Sequence, residues 1–181
     1  ARDEKLPGLE GSDFHGVAEK QFLACESSLE RIDKGIKALE DPEIFEAFRL
    51  AHEAMLIVFA HGKWQKDGYA GRPDSDGDLK WYPFQIAFIL QCLESTGNSE
   101  SDDRDVADLL WFPTGGGKTE AYLGLTAFIF FLRRIRAAKS GGDGGGTCAI
   151  MRYTLRLLTA DQFARAALMT CACEKIRSEH P

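Results

Sequence analysis

The ten residues from Trp111 to Glu120, WFPTGGGKTE, restrict the chain more than any other stretch. Three consecutive glycines permit backbone angles and close approaches that a Cβ would penalise. An apolar run, VADLLWF, precedes them and reads as a buried strand; Lys118 to Ala138 follows as a long helix broken only by Gly124. A strand that ends in such a turn and opens a helix aims several main-chain N–H groups at one point, where the helix dipole also favours negative charge. Lys118 adds a cation for the terminal phosphates and Thr119 a hydroxyl for Mg²⁺. Gly115, Gly116 and Gly117 line the phosphate cradle, and Thr114 and Glu120 flank it. The general phosphate-loop pattern asks for glycine where this chain has Phe112; Pro113-Thr114 supplies an alternative tight turn.

After the flexible connector SGGDGGG comes a second short apolar run, TCAIMRY, and then a second long helix, LRLLTADQFARAALMTCACEKIR, with Leu157, Leu158, Ala164, Leu168, Cys171 and Ile176 inward. Strand, loop, helix, strand, helix demands parallel strands joined by right-handed crossovers. The expected fold class is therefore α/β, the incomplete start of a parallel sheet, and two strands are too few to stand alone. The chain is expected to be part of a longer protein. Before the sheet, Ser12 to Leu39 has helical spacing at Val17, Phe22, Cys25, Leu29, Ile32, Ile36 and Leu39, with fraying at Gly35. Asp41-Pro42 then caps and starts a second helix, and Pro83 starts a third in WYPFQIAFILQCLES. The organisation that follows is a helical extension and loop over residues 1–80 and a nucleotide-binding part over 81–181.

Charge is divided unevenly. Residues 1–110 carry 12 Lys/Arg against 23 Asp/Glu, whereas residues 111–181 carry 10 against 5, so a basic segment begins at the glycine loop. That suits a surface facing a polyanion, or solvated helix faces. No run approaches the roughly 20 apolar residues a bilayer crossing needs, and the charged opening ARDEKLPGLEG lacks a signal core, so a cytoplasmic location without membrane partners is expected. Five scattered cysteines suit reduced thiols. Cys171 and Cys173 sit on different helix faces without a second pair, which disfavours zinc. Asp74, Asp76 and Asp78 alternate within the loop of residues 62–80, but a glycine falls at a ligand position and no closing Glu follows, which disfavours calcium.

PTGGGKT resembles motif I of superfamily 2 helicases, a branch in which the position of Phe112 is commonly not glycine. YPFQ resembles the Q motif, whose glutamine, here Gln85, would recognise adenine; Trp81 and Tyr82 could stack on a base or anchor a helix start. TLRLLTADQ is similar to motif Ia, with Arg156 and Gln162 on the matching positions for nucleic-acid contact and Thr154 replacing the usual proline. Taken together, WFPTGGGKTEAYLGLTAF and MRYTLRLLTADQFARA resemble the helicase-like component of the DISARM anti-phage defence system, over about residues 44–175. The resemblance implies a RecA-like domain, ATP and Mg²⁺ as cofactors, Lys118 and Thr119 as the catalytic pair, DNA as the polymer acted on, and a protein partner subunit. No DEAD- or DEAH-like acidic motif follows motif Ia, so this stretch is expected to bind nucleotide without turning it over. The loop alone leaves open a remodelling or packaging ATPase, and a non-catalytic DNA-binding or assembly scaffold.

Overall fold

The computed structural model describes residues 14–74, 80–113, 115–152 and 156–179, apart from the side chains of 156–159. Among the described residues five α-helices carry the fold: α1 (His15–Ala38), α2 (Pro42–Lys66), α3 (Pro83–Gly97), α4 (Lys118–Ser140) and α5 (Arg156–Glu179), with a 3₁₀ turn at Asp102–Asp105 before the glycine loop. The starts of α2 and α3 fall where their prolines place them. Asp41 accepts hydrogen bonds from the amides of Glu43 (2.7 Å) and Ile44 (3.3 Å), with Pro42 at the first helical position. Packing puts α4 at the centre, against α2, α3 and α5, while α1 leans chiefly on α3. Phe128, Met55, Ile89, Leu93, Leu123, Met169 and Ile176 are the largest fully buried side chains, so helices from either side of residue 80 share one core.

The expected α/β sheet is not formed: the described residues contain helices, turns and extended segments but no strand. Residues 106–112 lie outside any helix, and among the described residues nothing pairs with them in a hydrogen-bonded ladder. Residues 147–152 are likewise unpaired, and Tyr153 lies outside the described residues. The apolar composition of VADLLWF misled because its alternation is reversed from what burial needs. Asp108, Leu110 and Phe112 turn to the helices, with Leu110 packed on the core and Phe112 stacked on Phe84 at 4.0 Å, while Leu109 and Trp111 are 86% and 87% exposed. Ile150, in the second segment, is also 86% exposed.

Two helices bury a different face from the one their apolar spacing indicates. In α1, Val17, Cys25, Leu29 and Ile36 are exposed, and the buried positions are Arg31 and Gly35. Gly35 does not fray the helix; it is the point of closest approach to α3, where a Cβ would overlap the carbonyl oxygen of Leu90. In α5, Cys171 is exposed, and the inward stripe runs Gln162, Ala166, Met169, Cys173, Ile176, a spacing of four and three that starts on a polar residue. The loop expected from residue 62 begins later, because α2 continues to Lys66; Asp76 and Asp78 lie outside the described residues.

Arg31 makes the α1–α3 contact polar. Its guanidinium donates to both oxygens of Asp108, at 2.5 and 2.8 Å, and Asp108 also accepts from Gln91 Nε2 at 2.9 Å. Hydrogen bonding to Arg31 holds the Asp108 carboxyl below its ordinary range against the opposing effect of burial. A carboxylate whose folded pKa is depressed stabilises the fold above its unfolded value of about 3.9, and that contribution disappears as pH falls through the folded value. Wild-type chain is therefore expected to exceed Asp108→Asn in stability near neutrality by on the order of 2 kcal/mol. Denaturation at a series of pH values should show this gap closing below about pH 4.

Candidate functional site

The glycine loop holds its shape through main-chain geometry and three side-chain clamps. Gly116 N–H donates to Pro113 O at 3.1 Å, closing a turn. Gly117 caps α4 at φ +90°, ψ +21°, a left-handed conformation that a side chain would strain, and Gly115 stands at φ +79°. With glycine as N-cap, no side chain among the described residues caps the first turn of α4, whose amides remain available to an anion. Lys118 folds back over the loop and donates from Nζ to Phe112 O (2.5 Å) and Pro113 O (3.0 Å). The Phe112 ring lies under the loop, where a Cβ on Gly116 would come within 2.6 Å of it. An aromatic residue occupies the position of the usual first glycine and supports Gly116, the middle of the three, from below.

Gln85 is 2% exposed and ties the loop to α3. Its Oε1 accepts from the Tyr82 amide (2.8 Å) and its Nε2 donates to Gly117 O (2.8 Å). One amide side chain thus satisfies a free N–H at the start of α3 and fixes the carbonyl that precedes α4. Trp81 packs edge-on against His52 and Phe59, and Tyr82 is 62% exposed, stacked on Phe84 at 6.2 Å.

A cleft of about 1130 Å³ opens in front of the loop. Gly115, Gly117, Lys118, Thr119 and Glu120 form one wall, and Asp161, Gln162 and Arg165 of α5 another. The motif I-like and motif Ia-like segments, 45 residues apart, meet directly: Arg165 pairs with Glu120 Oε1. Nothing in the sequence around Arg165 names this partner. Glu120 Oε2 and Gln162 Oε1 are buried acceptors without a hydrogen bond, and both belong to residues lining this cleft. Gln162 is 7% exposed and reaches Asp161 Oδ2 from Nε2 at 3.3 Å. Arg156 is the first residue of α5, and its side chain lies outside the described residues, as does Thr114. Thr119, Lys118, Glu120 and Gln162 are therefore brought to one cleft, while Gln85 stands behind the loop as its support.

The arrangement fits a nucleoside triphosphate with its cation. The space a Cβ of Gly115 would enter has no atom within 4 Å, leaving the loop open to an oxyanion. The cleft, at about 1130 Å³, is somewhat larger than the roughly 300–1,000 Å³ typical of small-ligand pockets. Thr119 and Glu120 line the cleft, and among the described residues Glu120 Oε2 has no hydrogen-bond partner.

The chain is 40% identical over 171 residues to the DISARM protein DrmA of Bacillus paralicheniformis. That match takes in 90% of this chain and 15% of the relative, so the chain spans a small part of the relative's length. No protein-family model matches the chain, and no solved structure matches it.

Proposed function

We propose that this chain is the ATP-binding segment of an ATP-dependent DNA helicase or translocase that acts in prokaryotic anti-phage defence. The observation that carries the reading is the uncapped start of α4 behind Gly117, with Lys118 and Thr119 facing the same cleft as Gln162 and Arg165 of α5. The likeness to a DISARM protein supports the defence role, and motif resemblance supports the motor chemistry. On this reading the α4 amides and Lys118 hold the β- and γ-phosphates, and Thr119 holds Mg²⁺. Gln85 steadies Gly117 from behind the loop. Arg156 and Gln162 meet the DNA backbone from α5, beside the nucleotide. Binding belongs to this segment, and hydrolysis to the whole protein with its partner subunit.

Phosphate dependence tests the proposal. The chain with Mg²⁺ is expected to bind ATP with a dissociation constant on the order of 1–100 μM and to bind adenosine at least about 100-fold more weakly, because the loop recognises phosphates. Calorimetric titration with ATP, ADP and adenosine reads this out. Equal affinity for ATP and adenosine, or no ATP binding at millimolar concentration, overturns the proposal.

A further inference from the structure

We propose that Arg31, on α1, is a positioning residue for the phosphate loop, acting through Asp108 on the extended segment that leads into it. The inference rests on the nucleotide-binding reading above. Arg31 is 7% exposed, although most of α1 around it faces solvent. Its planar fork grips both carboxylate oxygens of Asp108, 77 residues away, a geometry that fixes direction as well as distance. Gln91 Nε2 and Cys92 Sγ, both on α3, donate to the same carboxylate at 2.9 and 3.6 Å.

The segment so gripped has little else to hold it. Between Val106, whose amide donates to Asp103 O, and the turn that Gly116 closes on Pro113, no backbone–backbone hydrogen bond among the described residues secures the segment, and Lys118 holds only its far end, at the Phe112 and Pro113 carbonyls. Three alternate side chains do that instead: Asp108 in the polar clamp, Leu110 on the core and Phe112 against Phe84. Only the first supplies directional bonds. Three residues separate Asp108 from Phe112, four steps that span at most roughly 13 Å of chain. Phe112 contributes both the carbonyl that Lys118 holds and the ring beneath Gly116, so slippage at Asp108 passes to the cation and to the loop. An ordinary packing role for α1 would not need a buried guanidinium aimed at this one carboxylate.

Asp103 provides the control. It also faces Arg31, at 3.7 Å, and pairs with Lys34 at 3.1 Å, but it lies in the 3₁₀ turn and not on the extended segment. Arg31→Met and Asp108→Asn are each expected to raise the ATP dissociation constant about tenfold, the scale of a lost charge-assisted hydrogen bond. Hydrogen exchange at the amides of residues 115–118 should quicken in both. Asp103→Asn should leave ATP affinity within about twofold, as expected of a partly exposed ion pair. Arg31→Lys, which keeps charge and volume without the fork, serves if Arg31→Met does not fold, and is expected to fall between wild type and Asp108→Asn. Unchanged ATP affinity in a folded Arg31→Met or Arg31→Lys overturns the inference, as does an equal loss in Asp103→Asn, which would make the contribution one of general stability. Should wild type bind no ATP, the nucleotide reading falls, and exchange at residues 115–118 decides the positioning claim: unchanged rates in Arg31→Lys and Asp108→Asn overturn it.

Discussion

Lys118→Ala is expected to weaken ATP binding by roughly 10- to 100-fold, since a hydrogen bond to a charged group is worth about 1.5–3 kcal/mol. The ammonium already sits over the loop, spanning the Phe112 and Pro113 carbonyls, so it needs no large excursion to meet a phosphate arriving at the α4 amides. An ammonium has three donors, and two are spent on those carbonyls, leaving one for the incoming oxyanion before any rearrangement. Alanine removes that donor and the positive charge together. The two released carbonyls belong to exposed contacts and pass to water, so the melting temperature should stay within about 3 °C of wild type. Thr119→Ala separates the cation from the phosphates: it should reduce the advantage that Mg²⁺ confers on ATP while leaving metal-free binding nearly unchanged. Calorimetry on the three chains, with Mg²⁺ and with chelator, gives both comparisons. A loss under threefold in Lys118→Ala would remove the lysine from the site.

The parts of this structure legible in the sequence are those whose cause is local. Asp41-Pro42 and Pro83 start helices because capping and a fixed φ act within one turn, and the glycine run before Lys118 starts α4 for a similar reason. The illegible parts depend on partners distant in sequence. VADLLWF is a short apolar run of strand-like composition, but a strand also needs a ladder, which no local pattern reveals. Arg31 reads as the solvent face of α1 until Asp108 is found against it, and the apolar residues of that helix then lie outside. Gln85 shows the same limit within the site: motif resemblance assigns it to adenine, and only tertiary structure reveals its bond to Gly117 O. Glu120 was drawn into the candidate site by adjacency to Lys118-Thr119; its ion pair with Arg165 ties that site to α5 in a way adjacency could not indicate.

Gly35→Ala opposes helix propensity with packing, and packing is expected to win. Alanine is favoured over glycine inside a helix by about 0.8–1.0 kcal/mol, so an open position would gain stability from the change. Gly16, on the same helix with no atom within 4 Å of its missing Cβ, is such a position. At Gly35 the new methyl would overlap the Leu90 carbonyl oxygen and stand 2.8 Å from its carbon. Those are backbone atoms of α3, and no rotamer change relieves them; α1 has to move away. Overpacking of this kind costs about 1–3 kcal/mol and more where backbone must shift, so Gly35→Ala should lose about 2–4 kcal/mol net, while Gly16→Ala gains a fraction of one. For a chain of 181 residues that loss corresponds to a fall of roughly 5–15 °C in melting temperature. Arg31 lies one helical turn before Gly35 on the same buried face, so moving α1 off α3 also pulls the guanidinium from Asp108. Gly35→Ala should therefore weaken ATP binding in step with Arg31→Met even where the chain remains folded. A Gly35→Ala chain as stable as wild type would show that α1 and α3 do not meet at Leu90, and the route from α1 to the phosphate loop would lose its anchor.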